Sequence, residues 1–211
     1  PYLTPQSLWH FLRGLRDRGL ETVGGDIVLD GSHFAAPAVD RGDFDGRPHR
    51  AYNALPAALA VNFQVTRVHM YPDDATGAVR VFTDPPVAGV RVDNRVTLVD
   101  APCRNRHHRP RLVVAAADAE ATIQVAGTFS AECGEASYPR LVLGPEAHLG
   151  GVLHSLWAEL GGRIEGTVRA GPGSGGTRPL HTLESRPLVE VIHGVNKWSN
   201  NLISRSLFMT L

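Results

Sequence analysis

Apolar positions along the chain follow two periodicities, and they divide it into segments. Near the start Leu8, Phe11, Leu12 and Leu15 recur at i, i+3, i+4 and i+7, the spacing of one helix face. Thr4 stands where an N-cap belongs, Pro5 at the first helical position, and Gly19 where the helix must stop. Asp26-Ile27-Val28-Leu29-Asp30, bounded by glycines, then reads as a short strand. The same order returns later. Gly144-Pro145 precedes Leu149, Val152, Leu153, Leu156 and Leu160 at helical spacing, Gly161-Gly162 stops that helix, and residues 164–168 read as a strand. The two units are expected to share one α/β layer.

Between them the period shortens. Val61, Phe63 and Val65 alternate with Asn62, Gln64 and Thr66, which is strand spacing. Further short runs follow at Val79-Arg80-Val81, Val90-Arg91-Val92, Val96-Thr97-Leu98-Val99, Leu112-Val113-Val114 and Thr122-Ile123-Gln124-Val125. Asp84-Pro85-Pro86 and Asp93-Asn94 read as turns between them. Residues 50–143 are therefore expected to form a β-rich unit inserted into the α/β layer. Beyond the glycine-rich loop 171–176, Ser185 is expected to cap a helix with Pro187 early in it and Leu188, Val191, Ile192 and Val195 as its apolar stripe. A terminal helix follows Asn196-Lys197-Trp198-Ser199-Asn200-Asn201.

Composition narrows the function classes. The 211 residues are 43% hydrophobic and 20% charged, enough to bury a core, and no run reaches the ~18 apolar residues of a membrane span. Formal charge is zero, and the densest basic run, residues 104–109, reads as a solvated loop, so no nucleic-acid partner is indicated. The ten histidines lack ligand spacing: His107 and His108 are adjacent, and His33, His49, His69 and His148 have no local partner, so no metal is expected. Loop 171–176 lacks the Gly-Lys-Ser/Thr ending of a phosphate cradle. No cofactor is implied. Trp9 and Trp157 read as packing residues, and Trp198 as packing the turn before Ser199. Cys103 and Cys133 permit one disulfide or two reduced thiols; a bridge would close a loop of about 30 residues, worth about 3.5 kcal/mol in chain entropy. A first residue Pro1 and an apolar terminal run from Leu207 to Leu211 lead us to expect a partial chain.

Lys197 is the sole lysine of the chain, and it stands two residues before Ser199-Asn200-Asn201. Upstream lie Leu3-Thr4-Pro5, Gly25-Asp26-Ile27-Val28-Leu29-Asp30-Gly31-Ser32-His33-Phe34, Tyr52-Asn53-Ala54-Leu55-Pro56-Ala57-Ala58-Leu59, Asn62-Phe63 and Ser185-Arg186-Pro187-Leu188. In this order the segments resemble the low-molecular-mass, class C penicillin-binding proteins, the D-Ala-D-Ala carboxypeptidase/endopeptidases of bacterial envelopes. Such enzymes carry Ser-x-x-Lys, Ser-x-Asn and Lys-Thr-Gly. None of the ten serines here is followed by lysine three positions on, so the nucleophile of the first motif and the lysine of the third lie outside this sequence. The resemblance implies that Ser199 relays a proton towards the leaving amine and that Asn201 holds a substrate carbonyl and the catalytic lysine. It implies that Tyr52, on a loop following Asp43 and Asp45, contacts the diamino acid of the stem peptide. It also implies a location in the bacterial cell envelope, periplasmic or extracytoplasmic and oxidising, and hence a Cys103–Cys133 disulfide.

The expected architecture is an α/β layer with an inserted all-β domain, plus a C-terminal helical piece of a transpeptidase/β-lactamase-like domain. Residues 1–49 and 144–184 would form the first, 50–143 the second and 185–211 the third. The expected function is that of part of a serine hydrolase that trims peptidoglycan stem peptides ending in D-Ala-D-Ala through an acyl-enzyme and, when complete, binds β-lactam antibiotics; this chain alone is expected to be inactive. Two other readings stand beside it. One is a non-catalytic cell-envelope binding module; the other is an unrelated α/β domain in which Ser199-Asn200-Asn201 only caps a helix. Ser-x-x-Lys upstream and Lys-Thr-Gly downstream in the reading frame would separate them.

Overall fold

The computed structural model describes residues 3–33, 39–103 and 109–210. Phe34 and the basic run at 104–108, with His107 and His108, lie outside the described residues. Helix α1 spans Pro5–Asp17. Thr4 caps it as its chemistry requires: the backbone N–H of Ser7 donates to the Thr4 hydroxyl at 3.1 Å. Leu8 and Leu12 are buried, with Phe11 and Leu15 packed beside them. Two short strands follow, β1 at Thr22–Val23 and β2 at Ile27–Leu29.

The middle of the chain supplies two three-stranded sheets. In the first, β3 (Thr66–Asp73) lies between β4 (Ala78–Asp84) and β8 (Ala136–Arg140), antiparallel to both. In the second, β7 (Glu120–Ser130) lies between β5 (Val90–Val99), to which it is parallel, and β6 (Arg111–Ala117), to which it is antiparallel. Alternate residues of the two central strands turn inward: Thr66, Val68 and Met70 on β3, and Ala121, Ile123 and Val125 on β7. Burying a side chain such as Ile123 completely contributes about 2 kcal/mol.

Helix α2 (Pro145–Glu159) returns to α1 and buries Leu149, Val152, Leu153, Leu156 and Trp157. Strands β9 (Arg163–Ile164) and β10 (Val168–Ala170) then pair in parallel with β1 and β2. The two αβ units thus meet strand on strand. Asp26 fastens this joint, accepting from the Thr167 N–H at 2.9 Å, its hydroxyl at 3.1 Å and Arg169 at 2.8 Å. Those donors, the Thr167 backbone first, hold the Asp26 carboxyl down to about 2. Asp30 is likewise held at about 2 by its hydrogen bonds to Ser32 and the Gly173 N–H.

Several expectations are corrected. Residues 164–168 are not one strand: they divide between β9 and β10. Gly166 sits so close to the facing backbone that a Cβ there would lie 2.5 Å from the Gly25 carbonyl carbon, and the chain bends at this point. Residues 62–64 form a 3-10 turn with positive φ at Asn62, Phe63 and Gln64, not a strand. Side-chain bonds to the backbone override the alternation there: Asn62 donates to the Val65 carbonyl at 2.7 Å and Gln64 to that of Leu55 at 2.5 Å. Asp93-Asn94 is not a turn but the middle of β5, whose ladder to β7 runs unbroken. Ser185 does not cap the next helix; α3 (Leu188–Trp198) starts after Pro187 without a side-chain cap. Of its apolar stripe Val195 alone is buried, while Leu188 and Ile192 are exposed. Helix α4 (Asn201–Phe208) ends the fold. Cys103 and Cys133 are bonded to each other.

Candidate active site

The corner between α3 and α4 is built by conformation first. Val195 anchors the end of α3, and Ser199 then adopts the left-handed region at φ 49°, ψ 48° and closes the helix. Asn200 returns to extended backbone and caps α4, its side-chain oxygen accepting from the Ile203 N–H at 3.0 Å. Leu202, Ile203 and Ser206 are buried, and Leu202 packs with Ala54, Val65 and Leu141. The α4 backbone is thereby fixed to the start of the β-rich segment. Ser199 and Asn201 are left exposed on either side of the cap. Neither side chain has a hydrogen-bond partner among the described residues. Trp198 does not pack this turn: it is 73% exposed, with the Lys197 ammonium 5.4 Å from its ring centroid.

Asn201 lines a cavity of about 240 Å³. Tyr52, Asn53, Asp40, Asp43 and Arg205 line it too. Asn201 and Tyr52, almost 150 positions apart, therefore share one depression, whereas Ser199 stands outside its lining. The Tyr52 hydroxyl donates to Asp45, and Arg50 donates to the Tyr52 oxygen at 2.6 Å with its guanidinium carbon 5.6 Å from the ring centroid. Asn53, buried, donates to Asp45 at 2.8 Å and to the Arg47 carbonyl at 3.0 Å. The hydrogen bond from Tyr52, more than any other contact, lowers the Asp45 carboxyl below the ordinary range. The loop from 45 to 53 is thus folded back on itself, and Asp45 fixes where the Tyr52 ring lies. Cys103 and Cys133 belong elsewhere, Cys133 in the 3-10 turn that follows β7.

Three further residues, Asn200, Asp45 and Asn53, hold the site in place. Asn200 orients both flanking residues, and an Asn before an apolar helical run is a readable cap signal. Asp45 and Asn53 hold Tyr52, and nothing local marks that pairing. Ser199 and Asn201 offer the corner an exposed hydroxyl and an exposed amide, and the Lys197 ammonium lies against Trp198 beside them. A serine hydroxyl is a weak nucleophile without an adjacent base. The amide can donate to a carbonyl and accept from an ammonium.

The family model of the D-Ala-D-Ala carboxypeptidase 3 (S13) family matches residues 1–211, so the chain belongs to that family and is of the low-molecular-mass, class C penicillin-binding-protein kind. Among solved structures it is similar to penicillin binding protein 4 (dacB) from Haemophilus influenzae, with a TM-score of 0.71 and 22% identity over 99% of this chain and 45% of that one. A second structure of that protein, complexed with a novel β-lactam, matches with a TM-score of 0.62 and 20% identity over 99% of this chain and 43% of that one. The chain spans less than half the length of these structures. No curated protein matches it.

Proposed function

We propose that this chain is part of a serine D-Ala-D-Ala carboxypeptidase/endopeptidase that acts outside the cytoplasmic membrane. The residues divide into an α/β layer (1–49 and 144–184), an inserted β-rich domain (50–143) and a portion of the catalytic domain (185–211). The α3–α4 corner contributes Ser199 and Asn201. In the complete protein the serine of Ser-x-x-Lys attacks the D-Ala-D-Ala carbonyl while the lysine takes its proton, the amide bond breaks and D-alanine leaves with a proton on its amine, and water then hydrolyses the acyl ester. Ser199 passes a proton to the departing amine, and Asn201 donates its amide to the substrate carbonyl. Tyr52 faces the side chain of the diamino acid in a cavity that Asp40 and Asp43 line together with Arg41 and Arg205, so both carboxylate and guanidinium partners are at hand for it.

The observation that carries this reading is the shared cavity of Asn201 and Tyr52, found in a chain of this family. The extracytoplasmic location is supported by the Cys103–Cys133 bond. Among the described residues no helix is long and apolar enough to cross a membrane. Binding of β-lactams by the complete protein is supported by the structural neighbour complexed with one.

A fluorescent penicillin tests it. The 211-residue chain stays unlabelled, because it has no Ser-x-x-Lys. The full-length protein is labelled on a serine outside this chain, and Ser199→Ala and Asn201→Ala slow acylation by about 100-fold or more without unfolding it. Labelling of the isolated chain, or full-rate acylation by both variants, would overturn the proposal.

A further inference from the structure

A second cleft, of about 760 Å³, opens where the loop at 46–50 meets β6 and β8. Three separate stretches of chain bring basic side chains to it: Arg47, His49 and Arg50 from the loop, Arg111 from the first position of β6, and Arg140 from the last position of β8. An isolated antiparallel bridge between Arg50 and Arg140 holds two of these stretches together. The cavity shares no lining residue with the depression at Asn201.

Of the four arginines that line the cleft, Arg50 and Arg140 are half-buried and the charge of Arg50 bears on Arg140, while Arg47 and Arg111 stand exposed at the cleft wall. The neighbouring carboxylate is Asp45, and it is already engaged by Tyr52, Asn53 and, at 3.4 Å, Arg50. Among the described residues Arg47, Arg111 and Arg140 form no ion pair. Arg140 is half-buried, and its one side-chain bond goes to the carbonyl of the adjacent Pro139 at 2.9 Å. Desolvation works most against its protonated form; Tyr138 partly offsets this, and the charge of Arg50 adds to it. His49 donates its Nδ1–H to the Leu141 carbonyl at 2.8 Å, which fixes the loop against the residue that follows β8. Guanidinium groups gathered around an open space, three of them outside any ion pair among the described residues, are the arrangement that carboxylates and phosphates bind in bidentate fashion.

We infer that this cleft is an oxyanion-binding site that takes a ligand carrying two or more carboxylate or phosphate groups. Such a ligand supplies the negative charge that the fold omits. Four guanidinium groups from three stretches of chain line a cleft of about 760 Å³, so a ligand with several anionic groups matches it better than one with a single group. The inference does not depend on the reaction proposed for the Ser199–Asn201 corner. Arg50 does link the two regions, since it lines the cleft while bonding to Tyr52.

Calorimetric titration of the protein with inorganic pyrophosphate and with tricarballylate tests this. Both probes bind saturably, and affinity falls as salt rises. The double variant Arg47→Gln/Arg111→Gln, both at exposed positions, weakens binding about tenfold or more. A charge-matched control, Arg13→Gln/Arg91→Gln, removes exposed arginines outside the cleft and stays within about twofold. Tighter pyrophosphate assigns phosphate as the preferred group, tighter tricarballylate assigns carboxylate, and either supports the site. Absence of saturable binding by both probes, or equal weakening by the control pair, overturns it.

Discussion

His148 on α2 makes the fold sensitive to acid, and the size of the effect follows from its surroundings. The side chain is fully buried, and neither ring nitrogen has a hydrogen-bond partner among the described residues. Burial, and secondly the nearby charge of Arg41, push its pKa from 6.5 down to about 4. Arg41 cannot turn away readily, since its guanidinium donates to the Leu143 carbonyl at 2.7 Å. The folded pKa of this base is depressed. As pH falls below 6.5, the unfolded chain binds a proton that the folded chain refuses, so stability is lost down to about pH 4 and then levels. Each pH step of one within that window costs ~1.4 kcal/mol, so between about pH 7.5 and 4.5 this group removes roughly 2 to 3 kcal/mol. His148→Leu removes the titration and leaves no polar atom unpaired. Urea unfolding followed by tryptophan fluorescence, with Trp157 buried as a reporter, measures both proteins at the two pH values. The variant gains roughly 2 to 3 kcal/mol on the wild type between them. Parallel pH dependences of the two proteins would refute the reasoning, because every other titrating group is common to both.

Replacing both Cys103 and Cys133 by alanine releases a loop closed by a sequence separation of 30 and lowers stability by about 3–4 kcal/mol, read from urea midpoints under non-reducing conditions. Asn200→Ala removes the cap of α4 and costs about 1 kcal/mol; amide exchange at Ile203 accelerates, and Asn200→Ser restores most of the protection. Gly166→Ala forces a Cβ towards the Gly25 backbone and destabilises the β1–β9 and β2–β10 joint by about 1–3 kcal/mol, seen as a lower urea midpoint with an unchanged slope.

How much can be read from the sequence depends on how local the causes are. Helix α1 is legible because each end is set locally: Thr4, Pro5 and Leu8 act within its first turn, and Gly19 takes a positive φ just past its end. The recurrence of helix, glycine stop and strand foreshadows the β1–β9 and β2–β10 pairs, though it does not reveal that they are parallel. The turn expected at Asp93-Asn94 fails because a turn signal yields to a long ladder in β5: Asn94 donates to the Val79 carbonyl at 2.8 Å, and Asp93 pairs with Arg95 at 2.8 Å. Strand β8 is hidden because it contains Pro139. Proline is tolerated there since β8 is the edge strand of its sheet, with β3 on one side and a lone bridge from Arg140 to Arg50 beyond its end. The basic cleft is invisible in sequence, its arginines coming from three segments that only the tertiary fold unites.

At the α3–α4 corner, family resemblance singles out Ser199 and Asn201, yet their placement rests on residues with no chemistry. A serine in the left-handed region costs about 1–3 kcal/mol and persists where its surroundings over-determine it. Here the constraint comes from both sides. Val195 is buried at the end of α3, and the Asn200 N–H bonds to its carbonyl at 3.3 Å. On the other side, Asn200 caps α4 while Leu202 and Ile203 are buried, Leu202 against Ala54, Val65 and Leu141. The same packing sets the distance between Asn201 and the loop that bears Tyr52, because Ala54 follows that loop directly in sequence. Substitutions at Ala54 or Leu202 therefore reach the corner through geometry, and a loss of function there says nothing about proton transfer unless the fold is shown to be intact.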